Sequence, residues 1–522
     1  MQVGQKRLYI MCAIPGYDND TYRIQSEYHQ MLVNKTIPRS SDVKLKYDQC
    51  HIFAANATYD EYNHPLNDTP SLNCKRWVYD DAIFKATFVT QINLVCDDTF
   101  LQPVAHMMFF TGVLVGAIVF GALSDAFGRK KTLYFSVILM LVSSVALTWS
   151  QTFASYVSLR CLVGASGAGA FMTAYVIGME LVGPSKRLWA GIVIEYFSAL
   201  GQLVLGGIAY TVRDWKYVEL ITGASCAIYL LYWWFIPESP RWLLSKGRIE
   251  EAETILHEAA KANDVTLPQK LFDKDTLSTK VPEGKLWDLF SSRVLLLRTF
   301  IICINWMVVS LVFYGLSLNT QNLGGDLFLN FMISGLVEFP AYTLCILLLN
   351  RLGRKMLYCG SMLLAGIACL STIFTVLYGG DELQPCTVTL AMIGKIGVAA
   401  AFAVIHIFSA ELYPTSVRNS LMGASSAFAR IGGMVAPYTT DLGKFVGDDF
   451  GQGLPLMVSG IACITAGLLS LFLPETLNRH LPETLEDWKQ FGKSNRRDTE
   501  KEVYNNTGYV VTECPSDSET RL

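Results

Sequence analysis

Five ionisable side chains lie deep inside long apolar segments of the sequence. They are Arg160, Glu195, Glu338, Lys395 and Arg430. A charge in the hydrocarbon of a membrane is costly, so such residues mark a functional site unless they pair with one another. A guanidinium can donate two parallel hydrogen bonds to a carboxylate, and a carboxylate can hold a cationic group. The set predicts a binding site for a small charged molecule, with structural ion pairs as the alternative.

Aromatic residues accompany these charges in the same apolar segments. Tyr314 ends the run INWMVVSLVFY, which also contains Trp306 and Phe313. The face of an aromatic ring attracts a quaternary ammonium without adding a charge that must be desolvated. Aromatic rings and acidic side chains near Arg430 would therefore form a suitable binding site for a zwitterion. For any single ring, the alternative role is packing between helices or anchoring at the membrane interface.

Long apolar runs must position these residues. The chain has 522 residues, of which 51% are hydrophobic and 17% charged, a composition too apolar for a soluble protein of this size. Its net charge of −3 gives no indication of nucleic-acid binding. We predict an all-α membrane protein with eleven spans of roughly 20 residues or more. They lie near 99–123, 131–150, 153–180, 188–212, 215–236, 298–318, 326–349, 356–378, 386–410, 418–440 and 453–473.

Lysine and arginine are distributed unevenly among the loops. They are concentrated at 129–131, 186–187, 241–298 and 351–355 and in the tail, whereas the opposite short loops contain few. The positive-inside rule places the basic loops and the C-terminus in the cytoplasm. The predicted division is an extracellular segment at 1–98, an N-terminal bundle at 99–236, a cytoplasmic linker with short helices at 237–297, a C-terminal bundle at 298–473 and a cytoplasmic tail at 474–522.

Residues 1–98 have the features of an extracellular, glycosylated segment. Four N-glycosylation sequons begin at Asn19, Asn34, Asn56 and Asn67. Four cysteines lie in the same segment, at Cys12, Cys50, Cys74 and Cys96. An even number of cysteines in an oxidising compartment predicts two disulfides, and all three pairings are open at this stage.

The charged loop motifs occur twice in the chain. GALSDAFGRKK at 121–131 has a weaker copy, LNRLGRK, at 349–355. MELVGPSKR and AELYPTSVR form a second pair, and Pro-Glu at 237–238 and 474–475 a third. Two copies of a bundle with matching charged loops are typical of alternating-access transporters. The motifs place charges at the inner ends of the spans, at Asp125, Arg129, Glu180, Arg187, Glu238, Arg241, Arg354, Glu411, Arg418 and Glu475.

Several motifs resemble those of the organic ion transporters of the major facilitator superfamily. They are GALSDAFGRKK, RDW at 213–215, WWFIPESPRWLL at 233–244, AELYPTSVRN at 410–419 and NLVCDD at 93–98. The resemblance covers residues 12–485 and is strongest to the carnitine/zwitterion branch and to insect organic cation transporter-like proteins. It implies two helix bundles related by a pseudo-twofold repeat, with a large extracellular loop.

The resemblance also implies roles for the intramembrane residues. Cation-selective relatives have an aspartate where this chain has Arg430, whereas anion and carnitine carriers have an arginine there. Lys395 fits the anion/carnitine pattern, and YGLSLNT, which begins at Tyr314, matches the carnitine branch. Glu338 matches an acid shared with the cation branch, and Glu195 joins the predicted substrate site on the same argument.

For the loop charges, the resemblance implies a gate. Its ion pairs would form between helices when the cavity faces out and separate when it faces in, because a pair at a helix end is cheap to break once water replaces each partner. Asn350 replaces the expected acid of the second copy, which predicts a weaker gate in the C-terminal half. Charges that simply mark the inner membrane interface are the alternative.

The resemblance further implies a twelfth span that the sequence lacks. In the family the first helix precedes a Cys-x-x-Pro-Gly motif, yet here only Leu8–Ile14 precede Pro15. A helix of seven residues rises about 10 Å, against a hydrocarbon core of roughly 30 Å. We therefore expect eleven spans and interpret the chain as a splice form or gene model that lacks an exon, with a true eleven-span protein as the alternative.

Other classes of function have no support in the sequence. It contains no Walker A loop, zinc-ligand spacing or nucleophile elbow, so we expect neither an enzyme nor a metal site nor an ATP-driven pump. A gradient, of Na⁺ or H⁺, is the expected driving force. At the C-terminus, Thr520 and Leu522 fit the groove of a PDZ domain.

Together these features predict a multi-pass plasma-membrane secondary transporter. Its expected substrates are small organic cations or zwitterions, with carnitine-like compounds favoured. An organic anion exchanger is one alternative, because Arg430 and Lys395 also fit that class. A non-transporting variant without the first helix is the other.

Overall fold

The structure is a computed structural model. It describes residues 10–17, 20–40, 46–54, 70–182, 187–268, 271–272, 292–379, 382–414, 417–446, 449–479, 482 and 485–491. Asn19, Asn56, Asn67, Thr520 and Leu522 lie outside the described residues, as does the side chain of Arg187.

The N-terminal segment is a small mixed unit held by two disulfides. Its elements are β1 (Ile10–Cys12), α1 (Glu27–Thr36), β2 (His51–Phe53), β3 (Ser71–Asn73) and β4 (Trp77–Tyr79). Strand β1 pairs antiparallel with β4, and β2 with β3. Cys12 bonds to Cys74 and Cys50 to Cys96, with Cα–Cα distances of 5.8 and 5.6 Å, which selects one of the three pairings. Asn34 is exposed on α1, as a glycosylation acceptor must be.

This segment packs onto one end of the helices. Short helix α2 (Phe88–Gln91) begins with a capping box at Thr87 and buries Phe88, whose ring stacks on Tyr156 with centroids 3.4 Å apart. A 3₁₀ turn at Cys96–Phe100 then leads into the first long helix. We call the helix ends that meet this segment the segment face, and the other ends the opposite face.

The N-terminal half contains long helices followed by two short ones. They are α3 (Leu101–Phe127), α4 (Arg129–Leu147), α5 (Phe153–Leu181), α6 (Arg187–Val212), α7 (Trp215–Ser225, continued as a 3₁₀ helix at Cys226–Trp234), α8 (Pro240–Ser245) and α9 (Ile249–Ala262). Helices α3 and α5 approach closely because of glycine. A Cβ added at Gly112 would lie 1.9 Å from the carbonyl oxygen of Cys161, and one at Gly164 would lie 2.2 Å from that of Phe109.

The C-terminal half is also built of long helices with a short helix at its end. Its helices are α10 (Arg293–Asn319), α11 (Leu327–Leu336), α12 (Glu338–Leu352), α13 (Arg354–Tyr378), α14 (Gln384–Leu412), α15 (Arg418–Val446), α16 (Asp449–Ser470) and α17 (Leu485–Gln490). Helices α11 and α12 form one span, interrupted at Val337. The largest apolar core of the described residues lies in this half and includes Trp306, Tyr342 and Trp488.

Within the described residues, nine helices are long and apolar enough to cross a membrane. The two other predicted spans are both present as helical segments. That at 215–236 becomes a 3₁₀ helix at Cys226, and that at 418–440 is the long helix α15, which carries Arg430. The count of eleven spans and the division into domains stay predictions.

Candidate functional site

The two halves meet mainly towards the segment face. The Phe110 ring of α3 packs against the Tyr314 ring of α10 with centroids 4.8 Å apart. Beside it, the Tyr438 hydroxyl of α15 lies 3.5 Å from the Met107 sulfur. On the other side of the interface, Gln202 of α6 donates to the Phe331 carbonyl of α11 over 3.1 Å.

Lys395 and Glu338 form a closed ion pair inside the C-terminal half. Lys395 Nζ lies 3.1 Å from Glu338 Oε1, and both side chains are only 2% exposed. The ammonium also donates to Ser317 Oγ at 2.5 Å and to the Phe313 carbonyl at 3.2 Å. Glu338 Oε2 accepts from the Tyr342 hydroxyl at 3.1 Å. Each charge is thus neutralised by the other, and two of the three ammonium hydrogens have an acceptor within the C-terminal half.

Arg430 has no such partner. It lies half-buried on α15, and its Nε atom is buried without a hydrogen-bond acceptor among the described residues. No described carboxylate lies within ion-pair distance of its guanidinium. Its neighbours are the hydroxyl of Tyr314 and the ring of His406. This arrangement leaves a guanidinium able to accept an external anion.

Glu195 is the matching acid from the other half. It lies half-buried on α6 and is within electrostatic range of Tyr175 and Glu338. No described cation pairs with it. Tyr314 lies within electrostatic range of both Glu195 and Arg430, and so connects the two charges. The interface between the halves therefore holds one unmatched acid and one unmatched base.

Tyr196, the residue after Glu195, belongs to an aromatic cluster that joins the two halves. The Tyr196 ring contacts those of Phe339 and Tyr342 at centroid distances of 5.6 and 5.7 Å. The Tyr196 hydroxyl also hydrogen-bonds Thr343 Oγ1 across the two halves at 2.7 Å. Trp306 and Phe313 instead pack within the C-terminal half, Trp306 being buried and donating to Ser409 Oγ over 2.8 Å.

Arg160 is part of a separate ion pair. Its guanidinium lies 3.1 Å from Glu219 of α7, and the two side chains are 10% and 13% exposed. The Phe109 ring covers it at 5.1 Å. This geometry supports a structural role in tying α5 to α7.

In the N-terminal half, the loop charges form a helix cap. The Glu238 carboxylate accepts hydrogen bonds from the backbone N–H groups of Arg129 (2.9 Å) and Lys130 (3.1 Å), at the start of α4. The Arg129 side chain reaches Asp125 at 2.5 Å and Glu180 at 3.7 Å. A carboxylate at a helix N-terminus satisfies unpaired donors and complements the helix dipole.

The C-terminal half repeats this cap. Glu475 accepts from the N–H groups of Arg354 (2.9 Å) and Lys355 (3.1 Å), at the start of α13. The Arg354 guanidinium pairs with Glu411 at 3.0 Å. Arg418 Nε donates to the Tyr413 carbonyl, and Arg241 is exposed. The ion pairs of Arg129 with Glu180 and of Arg354 with Glu411 each join two helices of the same half, and their role as a gate stays a prediction.

Sequence reasoning missed two features of the site. It grouped Glu238 and Glu475 with the gating charges and did not recognise the caps, although the same Gly-Arg-Lys sequence stands at the start of each capped helix. It also passed over His406, whose ring lies 4.5 Å from that of Trp306. A polar side chain in the apolar run AAFAVIHIF was the available signal.

Comparisons with known proteins agree with this geometry. The model of the family described as "Sugar (and other) transporter" matches residues 47–488. The organic cation transporter protein of Drosophila melanogaster is 39% identical over 495 residues, covering 92% of this chain and 87% of the relative. The human organic cation/carnitine transporter 2 is 38% identical over 415 residues, covering 78% and 73%.

Solved structures share the fold. The proton:xylose symporter XylE of the major facilitator superfamily, bound to 6-bromo-6-deoxy-D-glucose, superposes with a TM-score of 0.59. The match covers 77% of this chain and 91% of the symporter, at 19% identity. At that identity the likeness concerns the fold alone.

Proposed function

The chain belongs to the sugar (and other) transporter family of the major facilitator superfamily, and on this premise we propose that it carries small organic zwitterions or cations by alternating access. It is a membrane transporter and not an enzyme. Carnitine-like compounds, which combine a carboxylate with a trimethylammonium group, are the favoured substrates. Similarity to the human organic cation/carnitine transporter 2 supports this substrate class.

The observation that carries the proposal is the pair of unmatched charges at the interface. Arg430 of the C-terminal half would hold the substrate carboxylate through parallel hydrogen bonds. Glu195 of the N-terminal half, with the nearby rings of Tyr196 and Tyr314, would hold the ammonium. Because one group comes from each half, a bound zwitterion would link the two halves. A cation without a carboxylate would use only the Glu195 side.

The same observation disfavours an organic anion exchanger. That alternative used Lys395 as a second cation for the substrate, but Glu338 neutralises the Lys395 ammonium within the C-terminal half. Glu195 would moreover repel an anion that carries no cationic group.

The proposed function includes a cellular location, a driving force and a cytoplasmic partner. We place it in the plasma membrane, with residues 1–98 outside, glycosylated at Asn19, Asn34, Asn56 and Asn67, and the C-terminus in the cytoplasm. A gradient of Na⁺ or H⁺ would supply the driving force, and a PDZ domain would bind Thr520 and Leu522. These assignments rest on the distribution of basic residues, the sequons and the terminal motif.

The test is uptake of labelled carnitine and of tetraethylammonium, normalised to surface protein. Arg430→Ala should raise the KM for carnitine about 10- to 100-fold, because a charged hydrogen-bonded contact is lost, and affect tetraethylammonium much less. Glu195→Gln should weaken uptake of both. Arg248→Ala, at an exposed ion pair with Glu251, is the matched control. Uptake of neither compound by surface-exposed protein would overturn the proposal, and measurement with and without Na⁺ identifies the coupling ion.

A further inference from the structure

His406 lies beside the proposed substrate site, and its proton can be assigned from geometry. It is half-buried on α14, and its Nδ1 atom lies 2.8 Å from the Phe402 carbonyl oxygen one turn earlier. A carbonyl oxygen only accepts, so Nδ1 must carry the hydrogen. In the neutral ring Nε2 is then a hydrogen-bond acceptor.

The neighbouring rings fix the direction of this acceptor. The His406 ring contacts Trp306 edge-on at 4.5 Å and Phe402 at 5.1 Å. Trp306 is itself held by its hydrogen bond to Ser409 Oγ. Within the part of the chain that the structure describes, no side chain or backbone group donates to His406 Nε2. An oriented acceptor without a donor is suited to a ligand.

The Arg430 guanidinium lies within electrostatic range of the His406 ring. Arg430 acts electrostatically on the His406 ring, and a protonated ring would place a second cation beside it. The neutral ring therefore fits this position better. Arg430 can only donate hydrogen bonds, whereas neutral His406 can accept one at Nε2. The two side chains offer complementary contacts to adjacent groups of one molecule.

We propose that His406 Nε2 accepts a hydrogen bond from a hydroxyl group next to the carboxylate that Arg430 holds. The site would thereby select hydroxylated zwitterions over equally charged compounds without the hydroxyl. This inference rests on the proposed function and narrows its substrate class. An acceptor that finds no donor on the wrong substrate accounts for the selectivity, because binding of that substrate would displace the water from Nε2 without replacing its hydrogen bond.

Carnitine and γ-butyrobetaine test this proposal, since they differ only in the hydroxyl. In the unmodified transporter, kcat/KM should favour carnitine roughly 10-fold or more. His406→Phe, which keeps an aromatic ring but has no acceptor, should reduce this ratio to near one. His406→Gln should retain part of the preference, because its amide oxygen accepts hydrogen bonds. His257→Phe on α9, away from the site, is the matched control and should keep the full ratio.

The outcomes separate this inference from the proposed function. Equal uptake of the two compounds by the unmodified transporter overturns the role of His406 and leaves the proposed function standing. If the His406→Phe variant keeps the full preference for carnitine, the proposed role of His406 is also overturned. Uptake of neither compound contradicts the proposed function and this inference together. If His406→Phe does not reach the surface, the unmodified transporter and His406→Gln decide.

Discussion

Lys395 and Glu338 neutralise each other 3.1 Å apart, in a core where both side chains are 2% exposed. Helix α14 contributes the lysine and α12 the glutamate, so the pair also ties two helices of one half together. A buried pair of this kind adds little net stability but is costly to break on one side. It supports a structural role, although the assignment of both residues to the substrate site stays a prediction.

Removing one member of this pair should destabilise the transporter. We expect Lys395→Met to cost about 3–5 kcal/mol, because Glu338 would be left as an uncompensated buried charge. The measurement is thermal unfolding of the purified transporter, together with its surface abundance. The double variant Lys395→Met/Glu338→Gln should recover much of the loss. A double variant that is as unstable as the single one would contradict the ion-pair interpretation.

Tyr314→Phe should weaken binding of a carboxylate substrate. The hydroxyl lies beside Arg430 and helps to orient its guanidinium, whereas the ring packs on Phe110 and would remain. We expect the KM for carnitine to rise several-fold, corresponding to a loss of about 1 kcal/mol, with kcat changed less. Tyr378→Phe, at an 83% exposed tyrosine, is the control. Equal KM values for the two variants would rule out this role of the hydroxyl.

The glycines before the two capped helices should not tolerate a side chain. Gly128 has φ +112° and a Cβ there would lie 2.5 Å from Glu238 Oε2, while Gly353 has φ +88° and its Cβ would lie 2.6 Å from Glu475 Oε2. We expect Gly128→Ala and Gly353→Ala each to cost about 1–3 kcal/mol through backbone strain and displacement of the cap.

The matched control for these variants is Gly121→Ala on α3, where an added Cβ meets no atom within 4 Å. Alanine in an open helical position should be neutral or slightly stabilising. Thermal unfolding curves of the three variants provide the comparison. Equal stability of Gly128→Ala and Gly121→Ala would argue against the cap.

The disulfide pairing can be read from single serine variants. Cys12→Ser should free only Cys74, and Cys50→Ser only Cys96, because each cysteine has one partner. Each change should destabilise the N-terminal segment by about 2–5 kcal/mol. Maleimide labelling followed by peptide-resolved mass spectrometry gives the readout, since exposed Cys386 is a background thiol. Labelling of Cys50 or Cys96 in Cys12→Ser would show another pairing.

Much of the helical arrangement could be predicted, because long apolar runs leave a membrane protein few alternatives to helices. The predicted helix boundaries were less accurate where contacts with other segments determine the first residue of a helix. The run predicted to begin at 131 begins at Arg129, because Gly128 turns the chain and Glu238 caps the helix there. The all-α membrane fold followed from the apolar runs and the family from the loop motifs, and both are confirmed.

The partners of individual charges could not be predicted. Lys395 and Glu338 were each assigned to a substrate, but their pairing depends on how α12 and α14 align, which spacing within one helix does not reveal. The pairing of Arg160 with Glu219, which joins α5 to α7, could not be predicted for the same reason. Among the five intramembrane charges, Arg430 and Glu195 have no ion pair with the described residues, and Arg430 also keeps an unpaired Nε atom.

The two caps determine which parts of the molecule can move independently. Glu238 follows the 3₁₀ helix at Cys226–Trp234 and binds the start of α4, while Glu475 follows α16 and binds the start of α13. Each cap therefore ties two segments of the same half together at the opposite face, which favours movement of that half as a rigid body. The two halves pack against each other, α3 on α15 and α6 on α11 and α12, but few hydrogen bonds between described residues join them, among them that of Gln202 with Phe331. Rotation of one rigid body against the other would break few bonds and leave both interiors intact.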